Sequence, residues 1–286
     1  MLTPEELRQI RRLHVQAGRR VDSLLAGDYR SAVRGSGMEF EEVRPYVPGD
    51  DVRRIDWNVT ARAGAPYLKE FREERELTLL LMLDVSASTR FGSGGRDGRT
   101  DKRLQLARLA GGLAYAALRS HDRVGLLTYS DRVEHFVPPR KSPGHAWSVL
   151  RAAFEHARTG AGTDLAGALA VASQVLRRRA VVMVLSDFHA DAPFSSALTM
   201  LSSRHRVHAL LVHDPREEAL PDVGLVTLRD PETGREVIVD ARSLAARVSL
   251  SERLAGLRRC GARASAVSTE DDAFAVLQRH FRGASA

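Results

Sequence analysis

Only one cysteine, Cys260, occurs in the 286 residues, so no disulfide can form within the chain. A cysteine-built zinc site is equally out of reach, and the usage fits a reducing compartment. Long apolar runs are also missing. The longest, Leu77 to Val85, is broken by Thr78 and Asp84, whereas a membrane-spanning helix needs about 20 consecutive apolar residues. The opening MLTPEELRQIRRLHVQAG is charged and has no apolar centre of the signal-peptide kind. These absences lead us to expect a cytoplasmic protein with no integral membrane segment. Several enzyme signatures are lacking as well. No G-x-x-x-x-G-K-[ST] phosphate loop and no G-x-S-x-G nucleophile elbow appears, and His205, His208 and His213 lack the i,i+4 spacing of a metalloprotease. The glycine-rich stretch Arg90 to Thr100 therefore reads as a rim loop.

Charge is plentiful and mixed. Lysine and arginine number 43 against 36 acidic residues, a net +7. No run of five or six basic residues occurs, and acids are interleaved, as in FREERE. The excess reads as an arginine-rich soluble surface, and no nucleic-acid partner is expected. A nucleic-acid binder remains an alternative, and it predicts affinity that falls steeply with salt.

The chain is long enough to bury a large core. The stretch Arg20–Glu76 differs from the rest, with Gly35, Gly37, a Pro-Gly-Asp-Asp turn at 48–51 and short β-like pieces around Met38–Tyr46 and Tyr67–Phe71. We read 1–76 as an N-terminal segment, helix plus short strands, packed on a main domain at 77–286. From Leu77 onward strand and helix alternate. The apolar spacing at 106, 109, 110, 113, 114 and 117 predicts a helix over Lys102–Arg119. Ala180–Ser186 is a continuous apolar strand of the kind found in sheets covered on both faces. An edge strand is expected at Arg132–Val137, ending before Pro138-Pro139, and a helix at Ser243–Arg259. A β-hairpin insertion is expected near 222–240, turning at Pro231–Gly234. The fold class that follows is α/β, with a doubly wound, mostly parallel sheet. Such sheets bind ligands beyond the carboxyl ends of their strands.

At those ends the sequence places oxygen donors. Asp84-Val85-Ser86-Ala87-Ser88 closes the first strand, and its alternate residues point the same way. Thr163 lies in the loop Gly160-Ala161-Gly162-Thr163-Asp164 before a helix, and Asp187 follows Val181–Ser186. Two carboxylates and three hydroxyls form an oxygen-only set suited to Mg2+, Mn2+ or Ca2+. The same residues also read more plainly: Ser86, Ser88, Thr163 or Asp164 as helix caps, Asp187 as an ordinary loop residue.

DVSAS, GTDL and VLSDF resemble the metal-ion-dependent adhesion site of von Willebrand factor A domains. Upstream, GSGMEFEEVRPYVPGDDVRRIDWNVTAR resembles the signature of the bacterial family called domain of unknown function 58, as does HDPREEALPDVGLVTLRDPETGREV. The resemblance implies a von Willebrand factor A (Rossmann-like) sheet. Ser86, Ser88 and Thr163 would ligate metal directly, and Asp84 and Asp187 directly or through water. It further implies a non-enzymatic interaction module, an adaptor or co-chaperone of a MoxR-type AAA+ ATPase with an acidic protein client. A magnesium-dependent phosphatase using Asp84 as nucleophile is the competing reading, but Ser86 stands where such enzymes place their general acid. Arg53, Arg54 and Trp57 form a second candidate site. An aromatic among arginines suits partner binding, while the plainer alternative has Trp57 anchoring its segment on the sheet.

Overall fold

The computed structural model describes residues 38–73, 77–92, 101–154, 162–190, 192–218, 223–241 and 249–282. The first 37 residues of the expected N-terminal segment, most of the glycine-rich loop after Phe91 and the start of the helix expected from Ser243 lie outside them. The chain divides into two compact units, Arg34–Leu77 and a larger one built on Thr78–Ala286.

In the smaller unit, β1 (Met38–Pro45) pairs antiparallel with β2 (Tyr67–Glu73), with a bulge between Phe40 and Glu42. The turn between them is closed by Arg44, whose guanidinium grips Asp50 through two bonds of 2.7 and 2.8 Å. That pairing holds the Asp50 carboxyl down at about 2. A short helix, α1 (Trp57–Ala63), follows. Asp56 caps it by accepting from the amides of Asn58 and Val59, and Gly64, at φ +71°, ends it in the left-handed region.

The larger unit holds a six-stranded sheet. Its strands are β3 (Thr78–Asp84), β4 (Arg123–Tyr129), β5 (Val133–Arg140), β6 (Val181–Ser186), β7 (Arg206–His213) and β10 (Arg263–Ser268). They lie in the order β10-β7-β6-β3-β4-β5, all parallel except β5, which runs antiparallel to β4. The expected α/β, doubly wound sheet is therefore present. Its strands follow one another outward from β3 to β5, then cross back to β6 on the other side of β3. The β3–β6 boundary is thus the switch point, where loops from opposite crossovers part and leave a crevice. Every residue of β6 is buried, as its unbroken apolar run requires.

Helices cover the sheet. The first, α2 (Lys102–Arg119), has the expected bounds. Asp101 caps it by accepting from Leu104 N at 2.6 Å, and Leu106, Leu109, Ala110, Leu113, Ala114 and Ala117 are buried along one stripe. Then come α3 (Pro143–Phe154), α4 (Leu165–Val175), α5 (Ser195–Arg204), the single turn α6 (Pro215–Glu218), α7 (Leu250–Arg259) and α8 (Ala273–Arg282). A separate hairpin is formed by β8 (Leu225–Arg229) and β9 (Glu236–Asp240), where a hairpin was expected.

One expectation needs correction. β5 does not stop before Pro138-Pro139 but continues through both to Arg140. It is an edge strand, where a residue without an N–H costs no ladder bond, and the register shifts there between Val124 and Leu126. Gly125 makes room for this, since a Cβ on it would lie 2.8 Å from Pro139 Cγ and 2.9 Å from its backbone nitrogen.

Candidate metal centre

The tips of β3 and β6 are neighbours. Leu83 pairs with Leu185, which brings Asp84 level with Ser186 and leaves Asp187 one residue beyond. Asp84 is buried and its carboxylate is fixed from two sides. Oδ1 accepts from the Ser86 amide at 2.9 Å, and Oδ2 from the Ser186 hydroxyl at 2.6 Å. The Ser86 and Ser88 hydroxyls face each other at 3.0 Å. A short 3-10 turn, Ala87–Arg90, follows, held by Thr89 donating to the Ser86 carbonyl at 2.7 Å. Thr163 is brought to the same edge by the next residue, Asp164, whose amide donates to Ser130 O at 2.7 Å. Ser130 follows Tyr129, the β4 partner of Asp84. Thr163 itself is buried, and its hydroxyl donates to Glu232 Oε1 at 2.8 Å.

The capping alternative is divided by these bonds. Asp164 does cap α4, accepting from Gly167 N at 2.8 Å. Ser86 makes no side-chain cap bond although it precedes a turn. The hydroxyls of Ser86, Ser88 and Thr163 are directed to other side chains instead.

Asp187 has a partner that the sequence did not suggest. Lys102, at the first turn of α2, reaches Asp187 Oδ2 at 2.7 Å and Glu217 Oε1 at 2.5 Å, with only 1% of its side chain exposed. The Asp187 carbonyl accepts from Arg253 of α7. Burial works against the ammonium, but Asp187 and then Glu217 outweigh it and hold its pKa above the ordinary lysine value. The two site carboxylates respond in opposite directions. Burial, reinforced by the Asp187 charge, pushes Asp84 up to about 7. Burial also disfavours the Asp187 charge, but Lys102 and His189 overcome it and hold that carboxyl below the ordinary range. Asp187, His189 and Glu217 bring ligand atoms within 4.8 Å of one another, and so form a group able to hold a metal. Neither His189 nor Glu217 was singled out from the sequence. Position gave one usable hint: His189 lies two residues beyond Asp187.

The donor chemistry fits a hard divalent cation. The Ser86–Ser88 and Thr163–Glu232 oxygen pairs lie at hydrogen-bond distances, 3.0 and 2.8 Å, so the oxygens of each pair are held side by side. Such a cation could draw on the hydroxyls of Ser86, Ser88 and Thr163 and on the carboxylates of Asp84 and Asp187. It would contribute Lewis acidity toward one further oxygen ligand.

The second candidate site, Arg53, Arg54 and Trp57, belongs to the smaller unit. All three are exposed, the arginines on a 3-10 turn and Trp57 at the start of α1. The indole is 69% exposed, and Asp56 and Gly64 cap the helix that it opens.

Comparison with known proteins agrees with this architecture. Residues 42–259 match the family model described as protein of unknown function DUF58. Uncharacterized protein Rv1480 of Mycobacterium tuberculosis is 34% identical over 288 residues, covering 96% of this chain and 89% of its own length. Uncharacterized protein Mb1516 of Mycobacterium bovis matches to the same extent, 34% over 288 residues. Among solved structures, the conserved hypothetical protein BatB of Bacteroides thetaiotaomicron superposes with a TM-score of 0.51 at 15% identity, covering 73% of this chain and 98% of that one. An aerotolerance-related membrane protein of Bacteroides fragilis gives 0.50 at 16% identity over the same shares, 73% and 98%. Those identities speak to fold alone. The family match, the relatives and the β3–β6 switch point together establish that this chain belongs to the DUF58 family and that its larger unit is a sheet of von Willebrand factor A type.

Proposed function

We propose that the chain is a non-enzymatic, magnesium-dependent protein-interaction module, acting as an adaptor or co-chaperone of a MoxR-type AAA+ ATPase. What supports this reading is that Asp84, Ser86 and Ser88 are bonded together at the end of β3, beside Ser186 and Asp187 at the end of β6, while the Thr163 loop is held at the end of β4 in the same sheet. In this reading the cation completes its shell with a carboxylate of an acidic client or of the ATPase. Magnesium suits a site that keeps an open position, because it takes few protein ligands and leaves room for water or a partner. The Ser86 hydroxyl lies where a general acid would serve a phosphatase, which favours binding over turnover. Arg53, Arg54 and Trp57 offer an exposed aromatic among cations, a suitable second contact for the same partner.

The experiment is a Mg2+-dependent association assay between the purified chain and the ATPase, with and without EDTA, repeated for Asp84→Ala. Association in Mg2+ that EDTA and the substitution both remove supports the reading. Equal binding by wild type in Mg2+, by wild type in EDTA and by the variant defeats it. Magnesium alone should raise the melting temperature of the wild-type chain, since at a hundredfold excess over Kd a ligand of the native state adds about 2.7 kcal/mol.

A further inference from the structure

The β8–β9 hairpin sends one residue of its turn to the candidate metal centre. Glu232 Oε1 accepts the Thr163 hydroxyl at 2.8 Å, across 69 residues of sequence. The contact is built rather than casual. Asp230 Oδ1 accepts from the Glu232 amide at 2.8 Å and the Thr233 amide at 3.2 Å, which fixes the backbone of the turn. Asp230 N donates to Arg235 O at 2.8 Å, Gly234 N returns to Asp230 O at 2.9 Å, and Gly234 takes φ +71°. Glu232 is half-buried where its neighbours in the turn are exposed. The hairpin strands are themselves open to solvent, with Leu225 75% and Ile238 69% exposed. Two strands alone are marginally stable, so a contact at the tip weighs heavily in where the hairpin rests.

Resting on the metal-dependent reading above, we infer that Glu232 is the protein's own carboxylate ligand for the cation, and that it closes the site in cis. Glu232 Oε1 lies one hydrogen bond, 2.8 Å, from the Thr163 hydroxyl, so a cation ligated by that hydroxyl has the carboxylate directly beside its shell. It stands where an incoming acidic group has to bind. A partner carboxylate then competes with Glu232, and the hairpin lifts when the partner wins. The site is closed by default and opened by exchange of one carboxylate for another.

The test combines Mn2+ binding, followed by the electron paramagnetic resonance of the free ion, with hydrogen exchange of residues 225–240 in Mg2+ and in EDTA. Wild type, Glu232→Gln and Glu232→Ala are compared, the first variant retaining an acceptor for Thr163 and guarding against a misfolded turn. In the wild type, Mg2+ should slow hairpin exchange about fivefold or more, within the range of opening energies that local contacts govern. Glu232→Ala should abolish that slowing and weaken Mn2+ binding by about tenfold or more, the usual size for loss of a supporting metal-site residue. If the wild type binds Mn2+ and both variants match it in affinity and in hairpin protection, Glu232 is no ligand, while the metal-dependent reading stands. If the wild type binds no Mn2+, both fall.

Discussion

Lys102 decides how the candidate centre behaves without its cation. It lies against Asp187 and Glu217 with 1% of its side chain exposed, so it neutralises charge that would otherwise be stranded in the interior. Removing one partner of a buried pair costs about 3–5 kcal/mol, because the other charge is left unpaired. Lys102→Met keeps the apolar stem and removes only that charge. The variant should lose about that much stability in EDTA, and saturating Mg2+ should restore a large part of it, since the cation supplies the missing positive charge to Asp187. Denaturant melts in the two buffers measure this directly, and an identical loss in both would show that lysine and cation do not serve the same carboxylate. Ser86→Ala is the contrasting case. It should weaken Mg2+ binding while changing stability in EDTA by only about 1 kcal/mol, because the buried hydroxyl gives up its bond to the Asp84 carboxylate but its other partner, Ser88, remains half-exposed to water. At this scale the sequence was legible where the chemistry is local. Asp84, Ser86 and Ser88 share one strand end, and Thr163 and Asp187 mark the tips of their own elements. Lys102, Glu217 and Glu232 were not legible, because their contacts at the site span 85, 115 and 69 residues and follow no spacing rule.

Elements carry the site by holding their tips in register, and the weak member of the sheet is its proline-bearing edge. Gly125 of β4 faces Pro139 of β5 so closely that a Cβ would meet backbone as well as ring, at 2.9 and 2.8 Å. Gly125→Ala should therefore cost about 1–3 kcal/mol, the usual range for overpacking. The damage should concentrate at the β4–β5 pairing, visible as faster amide exchange of residues 133–140 than of β6. Uniform exchange across the sheet would show that the glycine serves no local purpose. Strongly periodic elements such as α2 were legible to the residue, since a buried stripe and an Asp101 cap define both its face and its start. The extension of β5 through two prolines was not legible even though an edge strand was expected, because whether a proline there loses a ladder bond depends on the register of the assembled sheet. A helix was expected somewhere in 1–76 but not placed, and α1 shows why. At seven residues it has no periodic stripe to read, although Asp56 before it and Gly64 after it are cap signals.

At the scale of the whole molecule, stability should depend on pH through a buried histidine pair joining the far edge of the sheet to α8. His208 Nδ1 of β7 lies 2.8 Å from His280 Nε2, and the other nitrogen of His280 meets the Ser265 hydroxyl of β10 at 2.7 Å. Burial, followed by the charges of Arg263 and Arg206, holds His208 down at about 4. Burial, then His208 and Arg263, holds His280 at about 3. Above pH 6.5 both histidines are neutral in the folded and unfolded chains alike, and they contribute no slope. Below 6.5 the unfolded chain takes up protons that the folded chain refuses, so stability falls with pH until the folded values are reached. Each histidine can contribute up to about 1.4 kcal/mol per pH unit in that window. Asp84, raised to about 7 in the absence of a cation, works in the opposite sense, because its folded form takes up a proton before its unfolded form does. The effect of the pair is therefore read as a difference between wild type and the variant carrying His208→Asn with His280→Gln, each melted in denaturant from pH 7.5 to 5. The stability of wild type relative to the variant should stay constant down to about pH 6.5 and then decline, because only wild type still carries the histidines whose protonation favours unfolding. If that difference is unchanged at pH 5, the pair does not set the acid limit of the fold.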